Sequence, residues 1–463
     1  MPNAIRQAQP PLAFLPPAFN PWVFKAIRAV LPAWMRFKLK ITAADVQNLE
    51  RFVHLYQQFQ QGQVRIMVAF RHPTIDDPFT MAYLTWHLVP KAARRFGVKL
   101  ASPVHSHFIY DRGISLWAGS FVNWLFPRLG GTPILRGKAD RLGLKTARDL
   151  LTNGKFLLSA APEGGTNDHN ELMNSLEPGV AQLGFWCAED LQKAGRPEET
   201  LVLPIGIRYS YITPPWPQLE DMLTRIEQSC GLKQPGLPAG LLSDRQADAL
   251  YGRIFTVAER LLDMTEQFYT QCCNQTFAPL EACPEGSQTR SQQLTQRFQM
   301  HLEAALQVAE KNLGTKPQGS FVDRCRRLEQ AGWDRIFRED FNQLSPLERG
   351  LADWAAEEAS LALWHMRLAE RLTVVTGDYI IQKPSADRFA EVLTILWRIT
   401  TWLETKEVKP LPDLGKRRVR ITIGEPLSVT ERLPHYQENR RSARAAVLKL
   451  TDDLQTAMQK MLE

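Results

Sequence analysis

Short apolar runs alternate with helical stripes along the first half of the chain. Val64–Phe70 (VRIMVAF), Phe156–Ala160 (FLLSA) and Leu201–Ile207 (LVLPIGI) are continuous or nearly continuous apolar runs, the pattern of strands covered on both faces. Between them, Arg141–Leu151 and Gly179–Leu191 carry helical periodicity. This alternation predicts an α/β domain over residues 41–216. A last β-like run, Val419–Ile423 (VRITI), lies far downstream and precedes a polar helix from about Arg440.

The texture changes between 217 and 412. Leu250, Ile254, Val257, Leu261, Met264 and Phe268 recur at steps of three and four, which predicts one apolar helix face. Ser243 with Gln246 forms a helix-opening capping pair. Ser345, Pro346 and Glu348 repeat it, with Pro at the first helical position and a helix running to about Val375. Breaks rich in Gly and Pro at 277–290 and 314–319 separate the helices. The expected fold is therefore α/β, a mixed sheet flanked by helices, interrupted by an all-helical insertion before the last strand. Its parts are 1–40, 41–216, the insertion 217–412, and a closing strand and helix over 413–463.

Composition narrows the class. With 463 residues, 44% hydrophobic and 23% charged, the chain has the makeup of a folded protein. Its six cysteines include no C-x-x-C pair, so thiols in a reducing compartment are expected rather than a disulfide framework or a zinc site. Prolines 10, 11, 16, 17 and 21 interrupt any signal-peptide core, and no apolar run approaches the roughly 20 residues that cross a bilayer. The net charge of +7 is concentrated at the start, where the first forty residues carry six Lys or Arg and no acid. Residues 21–40 interleave Trp22, Phe24, Trp34 and Phe37 with these cations, which suits a helix lying at a headgroup boundary, with Pro32 expected to break or kink it. The plainer expectation is an arm packed on the domain. A cytoplasmic protein peripheral on an anionic membrane surface follows from the first.

Three stretches carry candidate chemistry. Phe70–Phe79 (FRHPTIDDPF) places His72 at a strand end with Asp77 five residues on. A carboxylate that accepts the imidazole Nδ1 proton leaves Nε2 free to act as a base. Asp76 is a second candidate partner, and Asp77–Pro78 also reads as an ordinary helix cap. Gly130–Lys138 (GGTPILRGK) closes a short extended segment with Arg136, whose guanidinium fork suits a phosphate, and adds Lys138. Ala160–Thr166 (AAPEGGT) offers Glu163 beside Gly164, Gly165 and Thr166, where glycines let backbone N–H groups approach an anionic oxygen.

In order and spacing these blocks resemble the superfamily of lysophosphatidic acid and glycerol-phosphate acyltransferases, with its H-x4-D, G-x(5)-R, P-E-G-T and later proline-containing apolar blocks. The matching residues are His72–Asp77, Gly130–Arg136, Pro162–Glu163–Gly164 with Thr166, and Leu203–Pro204–Ile205. The resemblance covers about residues 45–216, with VRITIGEPL (419–427) similar to the closing strand; the helical insertion has no counterpart. It implies an O-acyltransferase of phospholipid synthesis in which His72 is the base and Asp77 orients it. Arg136 with Lys138 then binds the acceptor phosphate, and Glu163, Gly164, Gly165 and Thr166 shape the acceptor site. No bound cofactor is implied; the co-substrate is an acyl-CoA or acyl carrier protein thioester, and the acceptor a lipid hydroxyl, with lysophosphatidic acid first.

The chain departs from the family at two points. It reads PEGGTN where the family has PEGTR, putting Asn167 near an expected cation, and Leu135 precedes Arg136 where an aspartate is usual. Both fall on acceptor blocks, so a non-phosphorylated lipid acceptor stays open beside the phosphorylated one. A non-enzymatic membrane adaptor is the rival from another class, against which the joint presence of His72, Asp77, Arg136 and Glu163 stands. His105 and His107 lack a third ligand at metal spacing, and the basic run Lys416–Arg420 has no nucleic-acid motif around it.

Overall fold

The computed structural model describes residues 5–135, 140–232, 243–278, 290–372, 378–405, 407 and 409–462. They fall into two compact units, one within 13–135, 139–212 and 415–463, the other within 1–12 and 213–414.

Among the described residues the first unit holds one sheet of eight strands. These are β1 (Ile41–Gln47), β2 (Val64–Phe70), β3 (Ser106–Asp111), β4 (Gly131–Ile134), β5 (Leu157–Ala160), β6 (Glu199–Tyr211), β7 (Arg417–Ile423) and β8 (Leu427–Ser428). They lie in the order β1-β7-β6-β2-β5-β3-β4, with β8 beside β6. The sheet is mixed: β6 runs antiparallel to β7 and β8, while the other pairs are parallel. The downstream run around Val419–Ile423 thus returns to the sheet between β1 and β6, after the helical insertion. Strands β1 and β4 are the edges, where an exposed Asp45 and a strand proline, the buried Pro133, are tolerated, so neither shows the apolar run that marks β2 and β6.

Side chains of β2 alternate between two cores. Ile66, Val68 and Phe70 join a cluster that includes residues of the Pro21–Phe37 and Leu49–Gln60 helices. Met67 and Ala69 join another with residues of the Arg141–Asn153, Gly179–Lys193 and Arg440–Lys460 helices. With both faces covered, β2 and its parallel neighbours leave their carboxyl ends as the free edge of the fold, where α/β sheets bind ligands.

Pro32 neither breaks nor ends the Pro21–Phe37 helix. A proline deprives the carbonyl four residues back of its partner, and here that carbonyl, Arg28 O, accepts from His87 Nε2 at 3.0 Å. Phe24, Leu31 and Met35 bury one side of this helix in the core. The expected segment 1–40 therefore divides: residues from Ala13 belong to the sheet unit, whereas Gln9 pairs with Ile336 and Arg338 in the helical unit.

The helical unit contains the long helices Ser243–Cys273, Arg290–Leu313, Phe321–Ile336, Pro346–Leu372 and Ala386–Thr405. Leu250, Ile254, Val257 and Leu261 are buried as their spacing predicts, but Met264 and Phe268 are exposed. The buried stripe moves on by one residue to Leu262 and Tyr269, whose hydroxyl meets His365 Nδ1 at 2.9 Å. The Ser345–Glu348 capping pair forms, with Glu348 Oε2 accepting from Ser345 N at 2.8 Å. The side chains of the Ser243–Gln246 pair lie outside the described residues. No helix among the described residues is long and apolar enough to cross a membrane.

Candidate active site

His72 stands two residues beyond β2, at the carboxyl end of the sheet. Its Nδ1 lies 3.0 Å from Asp77 Oδ2, and the same oxygen accepts the backbone N–H of Thr74 at 2.8 Å. The other carboxylate oxygen accepts the Tyr209 hydroxyl at 2.7 Å. Asp77 is fully buried, so three donors converge on an anion that water does not reach. Burial pushes its carboxyl above the ordinary value, while hydrogen bonds from His72, Tyr209 and Thr74 pull it back. The Tyr209 phenol is held well above its own ordinary value, first by burial and then by the Asp77 charge, and so remains a donor. His72 Nε2 has no protein partner among the described residues, and the His72 side chain is 21% exposed. The pair has the geometry that a base with an orienting carboxylate requires, and the Asp77–Tyr83 helix has no side-chain cap bond at its start.

Asp76, the other candidate, is occupied elsewhere. It pairs with Arg417 Nη2 of β7 at 2.6 Å. The Arg417 guanidinium also lies 5.3 Å from the centre of the Tyr209 ring, and Thr80 Oγ1 is 2.8 Å from the Tyr209 hydroxyl. The dyad therefore rests on Tyr209 from β6 and, one step out, on Arg417 from β7.

Glu163 follows β5, but its carboxylate turns inward. Arg71 Nη1 donates to both of its oxygens, at 2.7 and 2.6 Å, and both side chains are wholly buried. Oε1 also accepts the backbone N–H of His72 at 2.8 Å, and Oε2 that of Asn174 at 3.3 Å. Of the two partners expected for Glu163, a hydroxyl or a neighbouring cation, its oxygens engage the cation, Arg71, and its visible work is to hold the main chain of His72. Asn167 Oδ1 faces the same arginine at 3.3 Å, with His169 O at 2.8 Å from Arg71 Nη2 and Leu172 O beside it. A cation at position 167 would oppose Arg71 in a buried site, which gives the asparagine a physical reason. Gly164 has a φ of +68°, the left-handed region that glycine fills without strain, and Gly164, Gly165 and Thr166 are half-buried at the sheet's carboxyl end.

Arg136 and Lys138 lie outside the described residues. The chain is anchored on both sides of them, since Asp140 Oδ2 accepts from Leu135 N at 2.8 Å and its Oδ1 from Gly143 N at 3.1 Å. His105 and His107 are buried structural groups. Trp86 Nε1 donates to His105 Nδ1 at 2.9 Å while His105 Nε2 donates to Leu129 O at 2.8 Å, and burial pushes its pKa down to about 3. Among the described residues no group of three or more His, Cys, Asp or Glu could hold a metal ion.

Nothing in the sequence singled out Arg71 or Tyr209, and Arg417 stood out only as one of the basic run Lys416–Arg420. Arg71 adjoins His72, yet nothing in FRHP says that its guanidinium turns into the core. Comparisons with protein-family models, curated proteins and solved structures return no match for this chain.

Proposed function

We propose that the protein transfers a fatty acyl group from a thioester to the hydroxyl of a membrane lipid acceptor, with His72 as general base. The observation that carries this is the buried Asp77 carboxylate 3.0 Å from His72 Nδ1, with the imidazole partly exposed and its Nε2 unpartnered among the described residues. Nε2 takes the hydroxyl proton as the acceptor oxygen attacks the thioester carbonyl. The tetrahedral adduct expels the thiolate, which takes the proton back from the imidazolium, and Asp77 stabilises the transient positive ring. General-base help of this kind contributes about 10²–10⁴-fold.

Lysophosphatidic acid is the acceptor the sequence resemblance favours, with Arg136 and Lys138 as its phosphate ligands. Asn167, which serves Arg71 rather than a ligand, leaves fewer cations for a phosphate and favours a non-phosphorylated acceptor as the second reading. The protein sits on a cytoplasmic membrane surface through its basic, aromatic N-terminal helix. Purified enzyme given labelled acyl-CoA or acyl carrier protein thioester and a panel of phosphorylated and neutral lipid acceptors tests this. Transfer to lysophosphatidic acid supports the first reading, transfer only to neutral acceptors the second, and no transfer to any hydroxyl overturns both.

A further inference from the structure

A helix on a protein surface ordinarily turns polar residues outward. The Pro21–Phe37 helix does not. Opposite its buried stripe, Trp22 is 76% and Phe37 71% exposed, with Val30 and Trp34 between them. At 3.6 residues per turn these four share one outward arc of about 120°, with Lys25 and Arg36 along its flank and no acidic residue in the helix.

The outward apolar surface continues at both ends. At the start, Ala18 N and Asn20 N donate to Pro127 O and Arg128 O, each at 2.8 Å, tying this helix to the end of the Phe121–Arg128 helix. That second helix exposes Phe121 (61%) and Trp124, stacked at 5.5 Å, and Arg128 covers the Trp124 ring at 4.7 Å. Lys25 lies over Trp22 at the same distance, 4.7 Å. At the other end the Trp34 ring is 6.3 Å from Phe79, which is itself exposed beside the His72–Asp77 loop.

We infer that these elements form one membrane-contacting surface with two anchors, and that its partner is a leaflet carrying anionic lipid. The Phe121–Arg128 helix is the second anchor, and the Phe79 end brings His72 to headgroup depth. A ring with an apolar body and a cation at its edge suits that boundary. The Pro21–Phe37 and Phe121–Arg128 helices offer cations and no carboxylate, the charge complement of anionic headgroups. A helix of 17 residues is about 25 Å long, enough to lie along a leaflet and not to cross it. This deepens the membrane placement proposed above and is independent of the transfer chemistry.

Binding of the full-length protein to phosphatidylcholine vesicles with and without phosphatidylglycerol is the test, read by co-sedimentation at low and high salt without acyl donor. Phe121→Ser with Trp124→Ser should weaken binding about tenfold or more even at high salt, because apolar insertion is not screened. Trp22→Ser with Phe37→Ser should do the same, and the four together should abolish binding, all with unchanged melting temperature. If the Phe121/Trp124 variant binds as well as the intact protein, the second anchor is refuted. Intact protein that ignores vesicles but self-associates through this face refutes the membrane partner. A protein that binds through both helices yet transfers no acyl group to a soluble short-chain acceptor refutes the proposed chemistry and leaves this surface standing.

Discussion

Replacing Tyr209 by Phe removes one hydroxyl and leaves the ring, so it tests whether the Asp77 carboxylate needs its third donor. The phenol donates at 2.7 Å to a fully buried carboxylate. A hydrogen bond to a charged group contributes about 1.5–3 kcal/mol, which predicts a fall in kcat/KM of roughly 10- to 150-fold. Most of the loss should appear in kcat, since Asp77 stabilises the imidazolium that forms only as the reaction proceeds. The pH dependence carries a sign. Burial already raises the Asp77 carboxyl, so folding favours its protonated form; that contribution is complete below the ordinary carboxylate range and is lost as pH rises through the raised value. Removing a donor to the ionised form raises it further. The acid limb of the kcat profile should therefore move to higher pH. The stability deficit of the variant should be largest in neutral and alkaline solution and shrink toward acid. Initial rates across pH, with urea unfolding at the two extremes, measure both effects. A variant with wild-type kcat and an unmoved acid limb would refute the claim that Tyr209 holds the dyad.

Glu163→Gln should lower both stability and turnover, because it leaves the buried Arg71 without its charge partner; breaking such a pair costs about 3–5 kcal/mol, seen as a lower unfolding midpoint. An unchanged midpoint would mean that Arg71 is satisfied without it. His87→Ala removes the donor to Arg28 O and should destabilise the Pro21–Phe37 helix by about 1–3 kcal/mol, with faster amide exchange confined to that helix. Exchange that stays slow there would show that the proline tolerates an unpaired carbonyl. Arg136→Ala should raise the apparent KM for lysophosphatidic acid about tenfold or more and leave that for the acyl donor unchanged, as a lost phosphate fork requires. Equal effects on both substrates would remove the phosphate assignment.

Strands buried on both faces announced themselves, since β2 and β6 need apolar side chains on either side and their sequences are continuous apolar runs. Edge strands did not, because β1 faces solvent along one border and carries Asp45 there. Of the break or kink expected at Pro32, the break does not occur, and the physical reason sits 55 residues away, in the His87 side chain that serves Arg28 O. At the site, the spacing of His72 and Asp77 pointed to a dyad and left Asp76 as a second candidate partner. What separates the two carboxylates is Arg417, which lies 341 residues from Asp76 and returns to it only through strand β7. Glu163 shows the same limit from the other side: its position after a strand was legible, the inward turn of its carboxylate onto Arg71 was not.

The central claim is that His72 takes the acceptor proton in an acyl transfer. The most direct measurement is the initial rate of labelled acyl transfer from a thioester to lysophosphatidic acid by wild type and by His72→Ala, with the melting temperature of each. Asp77 keeps Tyr209 and Thr74 as donors in the variant, so the fold should survive. His72→Ala should lose about 10²–10⁴-fold in rate with little change in melting temperature. A His72→Ala protein that melts like the wild type and transfers within about tenfold of its rate would contradict the claim, since general-base help of this kind begins at about 10²-fold.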